Sequence, residues 1–142
     1  MIDDFLGRIV DSNALNAVDI DNLSPLTLAY IGDAVYEVFI RTFLVSTQST
    51  TTHNLHLQSV KYVKAKAQAV VIHRINDMLT PEEQDIVRRG RNAKSGTISK
   101  GTDMIEYKYS TGFEALIGFL YLSKNFLRLM EILKVCIKEE EK

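Results

Sequence analysis

Apolar residues recur at three- and four-residue spacing along almost the whole chain, which is the period of amphipathic helices. Strand-like alternation is nearly absent. The first strong helix is predicted to follow Ser24, a favourable N-cap, with Pro25 at its first position, and to run to Leu44. A polar Ser/Thr stretch at 46–52 interrupts the pattern, and a longer helix is predicted over 57–79.

The second half of the chain continues the helical pattern after one long interruption. Residues 80–83, Thr-Pro-Glu-Glu, form a capping box, so a third helix is predicted from there to Gly90. Residues 91–109 contain glycines, few apolar residues and several basic ones, and are predicted to be a long loop with at most a short helical turn. Helices are then predicted from Thr111 and over 126–136.

The chain of 142 residues, 46% of them hydrophobic, predicts one all-α domain over 1–142 with a real core. The packed part is expected over about 20–137, and the charged tail 138–142 is expected to fray. Cys136 is the only cysteine, which excludes a disulfide framework and fits a reducing cytoplasm. The N-terminus is acidic and the sequence has no long apolar run, so neither a signal peptide nor a membrane span is expected.

The net charge of −1 hides an uneven distribution. Residues 53–101 hold nine Lys and Arg against four Asp and Glu, a balance of +5, and the rest of the chain carries −6. A basic middle between acidic ends is typical of a surface that binds a polyanion while an acidic part binds metal.

Two segments each place one carboxylate in an otherwise apolar helix. Asp33 follows Gly32 within Leu28–Glu37, and Glu114 lies within Phe113–Gly118. A carboxylate on an apolar face costs several kcal/mol unless it is paired or bound to a cation, so the two are expected to meet at a shared divalent metal. Gly32 costs about 1 kcal/mol relative to alanine in a helix, which indicates close approach of a backbone or ligand.

Both carboxylates also have simpler interpretations. Asp33 is four residues from Glu37, so the two side chains would share a solvated helix face. Glu114 follows Thr111 at the spacing of a capping box, in which it would only close the start of a helix.

The basic segment that follows the third helix offers guanidinium groups for phosphate and glycines that let backbone amides approach. Its candidate contacts are Arg88, Arg89, Arg91, Asn92, Lys94, Ser95 and Lys100. The alternatives are that this run is only a solvated face, and that a nucleic acid lies along Lys61 and Lys64 instead.

These segments resemble a known family. Leu28–Val35 is similar to the signature helix of the ribonuclease III endonuclease domain, and Phe113–Gly118 to its second metal-binding helix. With the basic segment 88–96 and the run 109–114, the chain resembles the Mini-ribonuclease III branch, which lacks the double-stranded-RNA-binding domain. The resemblance covers about residues 20–135.

The resemblance implies a homodimeric all-α enzyme that uses Mg²⁺ to cleave both strands of double-stranded RNA. It implies Asp33 and Glu114 as catalytic metal ligands, 5′-phosphate products, and maturation of 23S ribosomal RNA aided by a large-subunit ribosomal protein. Ordinary family members carry acidic residues where this chain has Ala29 and Thr111. One or two metal ions per site therefore remain open, and so does an inactive RNA- or ribosome-binding module.

Overall fold

The computed structural model describes residues 5–13, 17–94 and 103–138, and every regular element in those ranges is a helix. The predicted all-α fold class is confirmed. The α-helices of the described ranges are α1 (Phe5–Ser12), α2 (Ala17–Asp21), α3 (Pro25–Thr47), α4 (Thr52–Val63), α5 (Ala65–Ile75), α6 (Pro81–Asn92), α7 (Met104–Leu122) and α8 (Phe126–Cys136). A single 3-10 turn covers Asn76–Met78. None of these helices combines the length and apolar character needed to cross a bilayer.

The helix starts that were predicted from capping residues are confirmed. The Ser24 hydroxyl accepts a hydrogen bond from the Thr27 amide at 3.2 Å, and Pro25 begins α3. The Thr80 hydroxyl accepts from the Glu83 amide at 3.1 Å, while the Glu83 carboxylate accepts from the Thr80 amide at 2.9 Å. Each cap satisfies amides that have no partner inside their own helix, which is why the sequence signal is reliable.

The single helix predicted over 57–79 is wrong, because the structure divides it into α4 and α5. The backbone at Lys64 is extended, with ψ of 153°, and separates the two helices. The apolar period continues across this break, so periodicity does not reveal it. Moreover, α4 begins at Thr52, where the Thr51 hydroxyl accepts from the Asn54 amide at 3.2 Å.

The loop predicted over 91–109 is also wrong at both ends. The third helix continues past Gly90 to Asn92, and α7 begins at Met104, well before Thr111. The Asp103 side chain caps α7 by accepting hydrogen bonds from two backbone amides at 2.8 and 3.0 Å. The sequence offered no apolar stripe at this end of α7, and the short helices α1 and α2 were not predicted either.

Helix α7 is the central element, and it packs against α3, α5, α6 and α8. Two glycine pairs allow its closest approaches. A Cβ atom on Gly32 would lie 1.8 Å from the Glu114 carbonyl oxygen, and one on Gly118 would lie 1.9 Å from the Leu28 carbonyl oxygen. On the other side, a Cβ atom on Gly90 would lie 2.7 Å from the Gly112 Cα atom. The predicted reason for Gly32, close approach of another backbone, is therefore confirmed.

The core lies around α7, between that helix and α3, α5, α6 and α8. Tyr36 and Phe113 are fully buried and meet edge to face, with ring centroids 5.0 Å apart. Such an arrangement places the positive edge of one ring on the negative face of the other. The contact fixes the rotation of α3 relative to α7 next to the residues that carry the two candidate carboxylates.

Candidate active site

Asp33 and Glu114 are brought together by the crossing of α3 and α7. Asp33 follows Gly32, whose missing side chain lets the α3 backbone contact the backbone of Glu114 itself. The Asp33 side chain is close enough to the Glu114 carboxyl group to raise its pKa. Asp33 is exposed and Glu114 is half-buried, so the pair lies at the edge of the core and opens to solvent.

The fold holds the two carboxyl groups so close together that their negative charges would repel each other. The pKa of the Glu114 carboxyl group is raised to about 8, chiefly by burial and also by the hydrogen bond and negative charge of Asp33. A hydrogen bond from Gln68 acts in the opposite direction, and the charge of Glu37 adds a smaller rise. Two adjacent carboxylates cannot both ionise easily unless a cation neutralises them.

A divalent cation fits this donor set. Carboxylate oxygens are hard ligands, and Mg²⁺ commonly binds one or two protein carboxylates while keeping several waters. Across the described part of the chain, no group of three or more His, Cys, Asp or Glu side chains is arranged to hold a metal ion. Among the described residues, the pair Asp33 and Glu114 is therefore the candidate set of direct ligands.

The positions without the usual acids are buried and hold no carboxylate. Ala29 is 7% exposed and Thr111 is 6% exposed. The Thr111 hydroxyl donates to the Tyr107 carbonyl at 3.1 Å in the middle of α7. The interpretation that Glu114 closes a capping box on Thr111 is therefore wrong, because α7 starts seven residues earlier at Met104.

One side chain at the site was not predicted from the sequence. Gln68 on α5 is 1% exposed, and its Nε2 atom donates to the Glu114 Oε2 atom at 3.4 Å. In the sequence it stands between Ala67 and Ala69 in an apolar stretch. An amide in such a stretch is a signal for a buried polar contact, but without the fold its partner cannot be identified.

The candidate RNA contacts fall into two groups. Lys61 and Lys64 are exposed at the end of α4, beside a cavity of about 360 Å³ whose lining also includes Lys66, Arg74 and Lys138. The other group lies at and just beyond the end of α6, where the exposed members are Arg88, Arg89, Asn92 and Lys94. Ser95 and Lys100 lie outside the described residues.

Two arginines of the α6 group already have partners within the protein. Arg88 forms an ion pair with Asp85, one turn earlier on the same helix. Arg91 is half-buried, donates to the Tyr109 hydroxyl at 3.1 Å, and lies 5.0 Å from the centroid of that ring. Its Nε atom is buried without a hydrogen-bond partner among the described residues. Arg89 is therefore the clearest candidate for a phosphate contact in this group.

Comparison with known proteins places this geometry in a family. The ribonuclease III domain family matches residues 26–125, a range that contains both carboxylates, α3 to α7 and most of the core. This chain belongs to the ribonuclease III domain family.

Within that family, the chain is similar to proteins named Mini-ribonuclease 3. The one from Thermoanaerobacter sp. is 50% identical over 133 residues, which is 94% of this chain and 94% of the relative. The one from Enterococcus faecalis is 46% identical over 123 residues, covering 85% of this chain and 93% of the relative. A crystal structure of a protein from Fusobacterium nucleatum matches with a TM-score of 0.76 and 32% identity, covering 84% of this chain and 95% of that one.

Proposed function

We propose that this protein is a magnesium-dependent endoribonuclease that cleaves double-stranded RNA in the cytoplasm. The observation that carries the proposal is the meeting of Asp33 and Glu114 at the α3–α7 crossing, in a chain of the ribonuclease III domain family. The relatives named Mini-ribonuclease 3 support a ribonuclease, and the cellular role that we propose for it is the maturation of 23S ribosomal RNA. A large-subunit ribosomal protein is the proposed partner in that role.

Asp33 and Glu114 would hold one Mg²⁺ and orient it toward the scissile phosphate. When bound, the ion supplies Lewis-acid chemistry by lowering the pKa of a coordinated water and by neutralising charge on the phosphodiester. Hydrolysis adds a water molecule across the bond between phosphorus and the 3′ oxygen, which leaves a 5′-phosphate and a 3′-hydroxyl. Two protein carboxylates would suffice to hold one ion, because Mg²⁺ commonly binds proteins through only one or two carboxylates.

Incubation of the purified protein with a duplex RNA, in Mg²⁺ and in chelator, tests this proposal directly. Cleavage of the duplex is expected only with Mg²⁺, and a single strand of the same sequence should remain intact. Binding of the duplex without cleavage in either condition would instead favour the inactive RNA- or ribosome-binding module, which is consistent with the missing acids at Ala29 and Thr111. A precursor of 23S ribosomal RNA, cut at its ends, tests the cellular role.

An exposed apolar face on α3 supports the proposed homodimer. Tyr30, Val38 and Val45 are 82%, 62% and 66% exposed, and their spacing places them with Ala34 on one side of the helix. Exposed apolar patches of this kind mark interaction surfaces, and a symmetric dimer buries the same patch on both copies. Because Asp33 lies on the same helix, such a dimer would place two sites close to one RNA duplex.

Light scattering at micromolar concentration should give a mass near twice the 16.1 kDa of one chain. Val38→Arg should shift the mass to that of the monomer, since it buries an unpaired charge in the interface. Leu127→Arg is the matched control, because Leu127 is an equally apolar side chain that is 85% exposed on α8. A monomeric parent protein, or equal effects of both variants, would contradict dimerisation through α3.

The salt dependence of RNA binding should identify which basic group contacts the duplex. Each Lys or Arg that neutralises a phosphate releases counterions, so its loss reduces the slope of log affinity against log salt by about 1. We expect this change for Arg89→Gln, with similar losses on duplexes of different sequence because the major groove of A-form RNA is too narrow for base readout.

Two further variants complete the comparison. Lys64→Gln tests the group at the end of α4, and Lys134→Gln on α8 is an exposed control that should leave the slope unchanged. If Lys64→Gln lowers the slope while Arg89→Gln does not, then the duplex lies along α4 and α5. The α6 group would in that case be only a solvated surface.

A further inference from the structure

The side chain of Gln68 is buried in a way that core packing does not explain. It is 1% exposed on α5, with apolar neighbours Ala69, Val71 and Ile72 that are also buried. A buried carboxamide is unfavourable unless its polar atoms are hydrogen-bonded, whereas a methionine or leucine would fill the same space at no such cost. The contacts of the amide therefore need a reason.

Both contacts of the amide nitrogen are with acceptors on other segments. The Gln68 Nε2 atom donates to the Val63 carbonyl at 3.1 Å and to the Glu114 Oε2 atom at 3.4 Å. Val63 is the last residue of α4, and its carbonyl is among those that have no partner inside their own helix. Gln68 thus connects the junction of α4 and α5 to the carboxylate on α7.

These contacts determine which way the amide faces. Two acceptors surround the nitrogen, so the reversed orientation would place the amide oxygen against two other oxygens. In the observed orientation the Oε1 atom is buried and has no hydrogen-bond partner among the described residues. An unsatisfied buried oxygen lowers stability, and such local costs are typical of functional sites rather than of cores.

We propose that Gln68 is a positioning residue that holds the Glu114 carboxylate beside Asp33 for cation binding. The negative charge of Asp33 disfavours the ionised form of Glu114, whereas the Gln68 amide donates a hydrogen bond to the Glu114 carboxylate and restricts its rotation. Anchoring through the Val63 carbonyl makes that donor rigid. The inference rests on the proposed function, since it assigns Gln68 a role toward the same Mg²⁺.

The test replaces Gln68→Met, which preserves length and volume but removes the donor. Two quantities are measured: the Mg²⁺ concentration that gives half of the maximal rise in Tm without RNA, and kcat and KM on a duplex. We expect the half-maximal Mg²⁺ concentration to rise about tenfold and kcat to fall about tenfold, the usual effect of removing a group that orients a metal ligand. KM should stay within about twofold, because Gln68 is buried and offers no surface for contact with RNA.

Ser59→Ala is the matched control. Ser59 is buried on α4 and donates only to the His56 carbonyl of its own helix, at 2.8 Å. This variant should change neither the Mg²⁺ response nor kcat. Gln68→Asn is the second test variant, useful if Gln68→Met folds poorly, since its amide is one methylene too short to reach both acceptors and should show the same direction of change.

Three outcomes separate the possibilities. Gln68 variants that match the parent in Mg²⁺ response and kcat overturn the inference and leave the proposed function intact. A lower Tm with an unchanged half-maximal Mg²⁺ concentration also overturns it, because Gln68 would then act only in folding. A parent protein that neither responds to Mg²⁺ nor cleaves duplex RNA overturns the proposed function, and the role of Gln68 with it.

Discussion

Asp33→Asn should reduce duplex cleavage by at least about a hundredfold while leaving Tm and RNA binding nearly unchanged. The substitution keeps the volume of the side chain but removes the charge of a metal ligand. A hundredfold loss corresponds to about 2.7 kcal/mol of activation free energy, which is modest for a ligand that positions a catalytic ion. Asp33 is exposed, so the variant should leave the buried core intact and the loss should appear in kcat.

Duplex cleavage by two more variants tests whether the Glu114 carboxylate is also a metal ligand. Glu114→Gln should behave like Asp33→Asn, and its Tm should not fall, because the like-charge contact with Asp33 disappears. Glu82→Gln, an exposed carboxylate in the first turn of α6, is the control and should retain full activity. An Asp33→Asn protein that still cleaves within about tenfold of the parent would show that Asp33 does not anchor the metal.

The parts of the site that the sequence predicted are those with a local physical signature. A carboxylate directly after a glycine, within a mostly apolar segment of a helix, favours a partner or a cation as its explanation, and Asp33 fits that description. The capping residues Ser24 and Thr80 are similarly local, since an N-cap satisfies amides only two or three residues away. Such features can be recognised in the sequence without knowing the fold.

The parts that the sequence did not predict depend on neighbours far along the chain. Gln68 and Glu114 are 46 residues apart, so the reason for a buried amide on α5 is visible only once α7 lies beside it. A glycine such as Gly90 usually indicates the end of a helix. Here it lies inside α6, where the lack of a side chain lets the backbone of α6 contact the α7 backbone at Gly112. The break between α4 and α5 at Lys64 contains no Pro or Gly from which it could have been predicted. In each case tertiary packing overrides a local preference.

Gly32→Ala should cause the largest loss of stability of any single methyl addition to α3. Alanine usually stabilises a helix relative to glycine by about 1 kcal/mol, so the expected sign is opposite to the intrinsic preference. At this position the new Cβ atom would lie 1.8 Å from the Glu114 carbonyl oxygen and 2.8 Å from the Gly118 amide nitrogen. Both are backbone atoms of α7, so no side-chain rotation relieves the contact and the two helices must separate.

We expect Gly32→Ala to lower the free energy of unfolding by about 3 kcal/mol, the upper part of the range for overpacked cores. For a domain of this size the corresponding fall in Tm is about 10 °C. Lys108→Gly, at an exposed position of α7, is the control and should cost only about 1 kcal/mol through helix propensity. Cleavage by Gly32→Ala at a temperature where it is still folded should fall as well, because separating α3 from α7 moves Asp33 away from Glu114. A Gly32→Ala protein with unchanged Tm and full activity would mean that α3 and α7 can separate at no cost, and that their close crossing does not hold the two carboxylates together.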